Sequence, residues 1–160
     1  MNVRDATAAD VPAIQRVAER AWAADYDMTR DTVEAAVRDW YGDERVRAEV
    51  ASDDSPLLVA EDGEVVGFAH GVVSQAEDCG TVLRLYVDPD RRREGVGRAL
   101  LDAIEARLAA DCSRLRATVL AANETGRRFY EESGYEETGE AETVIGGERY
   151  PEVVLERAAT

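Results

Sequence analysis

Two glycines and a run of arginines stand at the junction between a predicted strand and a predicted helix. The strand is residues 83–87, and the helix begins near Val96, after which apolar side chains repeat every fourth position. Because Gly95 and Gly97 carry no Cβ, a ligand can approach their backbone closely. The first N–H groups of a helix have no internal partners and point outward. The pattern therefore indicates a site for an anion such as a phosphate, with the arginines of residues 91–93 beside it.

The residues present argue against two other kinds of phosphate-binding loop. A Walker-type loop requires Gly-Lys-Ser/Thr, and the chain contains no lysine. A dinucleotide fingerprint requires a third small residue where Leu100 stands, and its strands are not linked by hairpins as the preceding strands are here. What remains is the pattern Arg92-x-x-Gly95-x-Gly97, followed by Ala99.

This loop resembles the pyrophosphate loop of the GNAT superfamily of acetyl-CoA-dependent N-acetyltransferases, which reads Gln/Arg-x-x-Gly-x-Gly/Ala. Residues 85–89 look like the family's fourth strand, and residues 123–135 look like its last helix and the strand that follows. The likeness covers nearly the whole chain. Glu94 is a departure, because many members have a basic residue or glycine there. It weakens the local positive potential but leaves the backbone donors in place.

The resemblance implies where acetyl-CoA binds. Its pyrophosphate would contact the loop, and its pantetheine arm would pair with the main chain of the strand that contains Leu85 and Val87, whose side chains would also serve as core. Asn123 would contact the arm from the end of the next strand, and capping the following helix is an equally good role for it. No metal is expected. The implied cofactor-binding residues are Leu85, Tyr86, Val87, Arg92, Arg93, Glu94, Gly95, Val96, Gly97, Arg98, Ala99, Asn123 and Tyr130.

Tyr130 matches the family's general acid, the phenol that protonates the departing CoA thiolate. The alternative is a buried tyrosine beside Phe129 without a chemical role. An acceptor ammonium must also lose its proton before it attacks, and the sequence does not decide which base removes it. Some family members use chains of water instead. The candidate bases here are Tyr86, Glu77, Asp78, His70 and Tyr150.

Hydrophobic periodicity and turn residues predict the elements that position these groups. Asp62-Gly63 between two apolar runs predicts a hairpin, and residues 77–80 are expected to turn the chain into the next strand. The resulting fold is α/β (α+β), a single mixed, mostly antiparallel sheet of about seven strands with four helices packed on both faces, similar to the GNAT acyltransferase fold. The predicted strands are residues 2–6, 57–60, 65–73, 81–87, 114–120, 135–145 and 149–156, the last two around Gly146-Gly147. The predicted helical faces lie within residues 11–22, 31–40 (Val33, Ala36, Val37 and Trp40), 96–108 and 123–134.

Length and composition limit the kind of protein. A chain of 160 residues is expected to form one domain, because it can bury a core without metal or disulfide support. The formal net charge of -15 argues against nucleic-acid binding. Acidity along the whole chain predicts a halophilic protein of haloarchaeal-like composition, because salt screens self-repulsion. Cys79 and Cys112 are expected to be free thiols without an assigned role. No apolar run indicates a signal peptide or membrane span, so a cytoplasmic location is expected.

The predicted function is transfer of the acetyl group from acetyl-CoA to a primary amine by direct attack, with coenzyme A as co-product. The expected partners are acetyl-CoA and a small-molecule or protein amine, without nucleic acid or membrane. A non-catalytic acyl-CoA-binding or sensing module is the main alternative, and a structural partner subunit with a dead site is another. The acceptor and the oligomeric state stay open at this point, with a homodimer among the states allowed.

Overall fold

The computed structural model describes residues 1–25, 31, 33, 37, 41–50, 55–145 and 147–159. Seven strands and four α-helices have both ends within these residues. The strands are β1 (Asn2–Asp5), β2 (Leu57–Asp62), β3 (Glu64–Ser74), β4 (Cys79–Val87), β5 (Arg114–Leu120), β6 (Glu136–Ile145) and β7 (Glu148–Ala158). The helices are α1 (Val11–Asp25), α2 (Asp43–Val50), α3 (Val96–Ala109) and α4 (Glu124–Glu132). Short 3-10 turns, Ala8–Asp10 and Pro89–Arg91, precede α1 and α3.

The strands form one sheet in the order β1-β2-β3-β4-β5-β7-β6. Every neighbouring pair is antiparallel except β4 and β5, which are parallel. A parallel pair requires a crossover instead of a tight turn, and α3 supplies it between β4 and β5. The predicted mixed, mostly antiparallel sheet is therefore confirmed.

Most predicted boundaries agree with the structure to within one or two residues. Gly63, with a φ of 77°, forms the β2–β3 turn as expected. The turn predicted over residues 77–80 is wrong in its second half, because Cys79 and Gly80 already pair with β3. Asp78 completes the reversal with a φ of 51°, so the strand starts earlier. Three of the residues in the sequence predictions, Ala36, Trp40 and Gly146, lie outside the described residues.

Helices cover both faces of the sheet, because alternate residues of each strand point to opposite sides. Leu58 of β2 belongs to the same buried cluster as Ile104 of α3, on what we call the α3 face. Its neighbour Leu57 belongs to a second cluster with Ile14 of α1, on the α1 face. Helix α4 packs on the α3 face and α2 on the α1 face. Burial on both sides explains why β2 begins as an unbroken apolar run.

Strand β4 changes its neighbour along its length. Residues 79–82 pair in parallel with residues 114–117 of β5, and within the described chain the ladder ends there. On its other side β4 stays paired with β3 as far as Val87, with a one-residue bulge at Leu83. Strand β5 meanwhile continues along β7 to Leu120. The two strands therefore diverge after Val82 and leave one edge of residues 83–87 open within the sheet.

Candidate active site

A cleft of about 910 Å³ opens where β4 and β5 diverge. Its walls are the two diverging strands, the loop before α3 and one side of α4. All the cofactor-binding residues implied by the sequence line it except Glu94 and Ala99. Ala99 lies one turn inside α3, and its N–H donates to the Gly95 carbonyl at 3.0 Å. This N–H is therefore not available to a ligand.

The loop before α3 exposes backbone N–H groups. Gly95 caps the helix in the left-handed region with a φ of 85°, and Arg93 has a φ of 67°. Because the Ala99 N–H makes the first bond to the cap, the N–H groups of the three residues before it have no acceptor within the helix. They are available to an anion, and the helix dipole favours negative charge at this end.

The fold itself does not require a glycine at position 97, and the absence of a Cβ there leaves space over this backbone. Its conformation is helical, and a Cβ placed on it would meet the Phe129 ring at 3.6 Å and Val87 at 3.7 Å, which are ordinary contacts. A glycine that the protein could replace without a clash is consistent with a ligand lying close to the backbone. Open backbone, unbonded N–H groups and arginines together fit a pyrophosphate.

The arginines of the loop differ in their surroundings. Arg91 forms ion pairs with Asp62 and Glu94, the latter at 3.1 Å. Glu94 does not line the cleft, and its negative charge is partly neutralised by the ion pair with Arg91. Arg91, Arg92 and Arg93 all line the cleft. Together with the N-terminus of α3 they place positive charge beside the exposed N–H groups.

The side chains of β4 are used in packing on both faces. Leu85 and Val87 pack against the core on the α3 face. Tyr86 lies on the α1 face, with ring centroids 6.3 Å from Trp22 and 5.8 Å from Phe68. The side chains of Leu85 and Val87 therefore belong to the core, as the sequence predicted. The main-chain edge of the strand stays open and is available to a ligand.

Helix α4 and the residue that caps it supply the two polar residues singled out from the sequence. The Asn123 side-chain oxygen accepts a hydrogen bond of 2.9 Å from the Gly126 N–H, so it caps the helix. Tyr130 is 6% exposed and lines the cleft. Its ring packs edge-to-face against Phe129 and Tyr135, with centroids 5.3 Å apart in both pairs. These contacts fix the direction of the phenol.

Tyr135 does not line the cleft, and a separate set of contacts holds its hydroxyl. Its hydroxyl donates to Glu105 at 2.8 Å, and Arg157 lies 3.8 Å from the same carboxylate. Burial and then the Glu105 carboxylate raise the pKa of Tyr135 far above that of an ordinary phenol. Tyr130 is consequently the phenol of this aromatic group that faces the cleft.

Two of the five candidate bases lie at the wrong end of β4. Glu77 and Asp78 belong to the turn that precedes the strand, whereas the cleft opens at its other end. Glu77 lies 3.8 Å from Arg116, and Asp78 accepts from the Ser113 N–H at 3.0 Å. Neither lines the cleft.

Two further candidates do not line the cleft, and each has a polar atom in a hydrogen bond. Nη1 of Arg84 lies 3.0 Å from Nδ1 of His70, and since a guanidinium only donates, Nδ1 accepts and the ring proton is on Nε2. The Tyr150 hydroxyl donates to Glu148 at 3.1 Å, and this bond raises the pKa of Tyr150. Among the five candidates, Tyr86 lines the cleft.

A carboxylate that the sequence did not single out also lines the cleft. Glu152 lies on β7, opposite Leu120 of β5, and burial raises its pKa above the ordinary glutamate value. The buried Val153 and Leu155 mark β7 as a half-buried strand. The alternation of apolar and polar residues in β7 predicts a strand but not its register against β5. The sequence therefore did not indicate that Glu152 reaches the cleft.

Comparison with known proteins identifies the family. The model of the acetyltransferase (GNAT) family matches residues 13–135, which include the loop, α3 and α4. The chain belongs to the GNAT family. GNAT acetyltransferases use acetyl-CoA, and the pyrophosphate-compatible loop of this chain agrees with that. Among the described residues, no helix has the length and apolar character needed to cross a membrane.

Solved structures share the GNAT fold of this chain. The PaiA N-acetyltransferase of Thermoplasma acidophilum, in complex with coenzyme A, has a TM-score of 0.82 at 20% identity and covers 98% of each chain. The ribosomal-protein-S18-alanine N-acetyltransferase of Escherichia coli has a TM-score of 0.72 at 21% identity, covering 99% of this chain and 94% of that one. At such identities the likeness concerns the fold alone.

A curated relative matches part of the sequence more strongly. Mycothiol acetyltransferase from Clavibacter michiganensis subsp. michiganensis is 45% identical over 69 residues. The match covers 41% of this GNAT chain and spans 22% of the length of that relative.

Proposed function

We propose that this GNAT enzyme transfers the acetyl group of acetyl-CoA to a primary amine by direct attack, with Tyr130 as the general acid. When bound, acetyl-CoA supplies the acetyl group as an activated thioester. One observation carries the proposal: the divergence of β4 and β5 forms a single cleft lined by both the anion-binding loop and Tyr130.

Each wall of the cleft has a role in this proposal. The first N–H groups of α3, with Arg92 and Arg93, bind the pyrophosphate. The open edge of β4 pairs with an extended ligand as a strand would, and its N–H groups stabilise negative charge on a carbonyl oxygen held beside it. Tyr130 gives its proton to the departing sulfur. Because a thiol is more acidic than a phenol, this transfer comes late.

Replacing Tyr130 with phenylalanine separates chemistry from packing. The ring keeps its contacts with Phe129 and Tyr135, so the variant should fold and bind acetyl-CoA with an unchanged Kd. We expect kcat to fall about 100-fold or more, the usual effect of removing a general acid. Release of CoA, detected with a thiol reagent across a panel of amines, measures the effect.

Tyr135→Phe is the matched control, because it removes a phenol hydroxyl that bonds to Glu105 outside the cleft. It should lose stability and retain kcat. A wild-type kcat in folded Tyr130→Phe would contradict the general-acid role. Acetyl-CoA binding by the wild-type protein without CoA release from any amine would contradict the proposed activity and favour a binding module.

We also infer a setting for the enzyme. The formal net charge of -15, with no lysine, supports a halophilic protein, and we propose that residues 1–160 act as one domain in the cytoplasm. Sedimentation at several protein concentrations distinguishes a monomer from a homodimer.

A further inference from the structure

Glu152 lies on the α1 face of the sheet, beside the divergence of β4 and β5. It is directly opposite Leu120 in the antiparallel ladder, and opposite residues of such a ladder point to the same face. Leu120 packs with Trp22 of α1 in a buried cluster on that face. Val96, at the start of α3, and Tyr130 belong to the core of the α3 face. Glu152 therefore meets the cleft from the side opposite the cofactor loop.

The Glu152 carboxylate has no hydrogen-bond or ion-pair partner within the described part of the chain, and burial is the cause of its raised pKa. A partly desolvated carboxylate without a partner costs free energy that a bound cation would recover. Glu156, four residues further along β7 and on the same face, shows the opposite arrangement. It pairs with Arg114 at 2.9 Å and Arg116 at 3.2 Å, and there burial is outweighed by hydrogen bonds and arginines, which lower its pKa.

We propose that Glu152 binds the ammonium of the acceptor and removes its proton, and that the acceptor is a primary amine whose remaining part carries no second positive charge. This inference rests on the N-acetyltransferase activity proposed above. It assigns the base that the sequence left open to a residue outside the original candidates.

The protons balance as follows. The acceptor arrives as an ammonium, the dominant form of an alkylamine at neutral pH. Glu152 takes one proton and later releases it to solvent. The neutral nitrogen forms the new N–C bond while the thioester C–S bond breaks, and Tyr130 protonates the sulfur. The second proton lost by the nitrogen replaces the one that Tyr130 has given.

Charge on the acceptor side of the cleft limits the class of amine. Arg45 and Arg84 line the cleft, and guanidinium groups donate hydrogen bonds but accept none, so they offer nothing to a second ammonium. Among the described residues that line the cleft, the other carboxylate is Glu132, on α4. Glu152 thus serves one positive charge, and the apolar side chain of Leu120, which also lines the cleft, lies beside it.

Few other groups near the Glu152 carboxylate change their protonation state with pH. Strands β5 and β6 present the non-titrating Leu120 and Ala141 directly opposite it. The charged or titratable groups contributed by the surrounding elements are Arg45 of α2, Arg84 and Tyr86 of β4, and Tyr150 of β7.

Glu152→Gln tests the assignment, with Glu142→Gln as the matched control. Glu142 is an exposed carboxylate on the neighbouring strand β6 and does not line the cleft, so its replacement makes the same change in charge. At pH 7 we expect kcat/KM for the amine to fall about 100-fold or more in Glu152→Gln, as for loss of a general base, with an unchanged Kd for acetyl-CoA. The defect should shrink as the pH approaches the pKa of the amine, because the acceptor then loses its proton in solution.

Thermal unfolding distinguishes a catalytic from a structural role of Glu152, because the two roles predict opposite changes in Tm. Glu152→Gln removes a carboxylate whose ionised form burial disfavours, so its Tm at neutral pH should equal or exceed that of the wild type. A lower Tm, or an unfolded variant, would mean that the carboxylate supports the fold, and the assignment would be wrong.

Three amines of matched length test the acceptor class on the wild-type enzyme. Hexylamine and 6-aminohexanoate should be acetylated with kcat/KM at least about tenfold above that of 1,6-diaminohexane, whose second ammonium lacks a carboxylate partner. Equal or faster acetylation of the diamine would overturn the class. Equal rates for Glu152→Gln and Glu142→Gln, in the presence of wild-type turnover, would overturn the base alone and leave the proposed activity intact.

Discussion

Replacing Gly97 with alanine should weaken acetyl-CoA binding and stabilise the protein at the same time. The stabilisation follows from the position of Gly97 in the first turn of α3, where its backbone is helical. A methyl group there meets Phe129 at 3.6 Å and Val87 at 3.7 Å, contacts that need no rearrangement. Alanine is favoured over glycine within helices by up to about 1 kcal/mol, so we expect a gain of roughly 0.5 kcal/mol at this terminal position.

The loss of affinity follows from the same methyl group. If the first N–H groups of α3 bind the pyrophosphate as proposed, the added methyl group holds the ligand away from at least one of them. A hydrogen bond to a charged group contributes about 1.5–3 kcal/mol, so the Kd for acetyl-CoA should rise about 10- to 150-fold. Opposite changes in stability and affinity distinguish this effect from general damage to the fold.

Calorimetric titration with acetyl-CoA and denaturant unfolding of the unliganded protein measure the two quantities. Gly139→Ala is the matched control, since a Cβ at Gly139 meets nothing within 4 Å and the residue lies on β6, outside the cleft. Its Kd should equal that of the wild type. An unchanged Kd in Gly97→Ala, or a reduced free energy of unfolding, would show that Gly97 serves the fold and would refute the reasoning.

Two further predictions concern stability. Burial alone would raise the pKa of Asp88, but hydrogen bonds from the Asp90 N–H and from Arg20, whose Nε lies 3.1 Å from Asp88 Oδ2, outweigh it and hold this pKa below its usual value. Asp88→Asn should therefore lower the free energy of unfolding by about 1 kcal/mol. Because a lowered carboxyl pKa stabilises the folded state only above the unfolded value of about 3.9, the difference from the wild type in denaturant unfolding should persist from pH 7 to about 4.5 and shrink below that; a constant difference would contradict the ion-pair explanation. The free energy of unfolding should also rise with KCl up to molar concentrations, since the screening length falls to about 3 Å at 1 M, and full stability in dilute buffer would disprove halophily.

Local signals account for the parts of the fold that the sequence predicted well. The Asp62-Gly63 hairpin depends on a positive φ that glycine readily adopts, and β5 spans residues 114–120 as its β-branched residues indicate. The loop before α3 combines glycines, arginines and a helix start within a few positions. All three are decided by neighbours in sequence, and short-range patterns report them faithfully.

Features that depend on register between distant strands were not predictable in this way. The bulge at Leu83 adds one residue to β4 relative to β3, and nothing in the composition of the strand marks it. Glu152 reaches the cleft only because β7 pairs with β5 so that it stands opposite Leu120. A shift of one residue would place the same carboxylate on the other face. Likewise, Arg91 meets Asp62 across 29 positions of sequence, which composition does not reveal.

The short ladder between β4 and β5 makes the width of the cleft sensitive to a site far from it. Within the described residues, the two parts of the sheet join over residues 79–82 and 114–117, so the twist of this ladder sets how widely the strands separate beyond it. Gly80 lies within the ladder, and a Cβ there would stand 2.9 Å from both the Leu108 Cβ and the Cys112 Sγ. Any side chain at Gly80 must displace the end of α3 or rotate the strand. A single methyl group at Gly80, at one end of β4, would therefore change the width of the cleft at the other end of the strand.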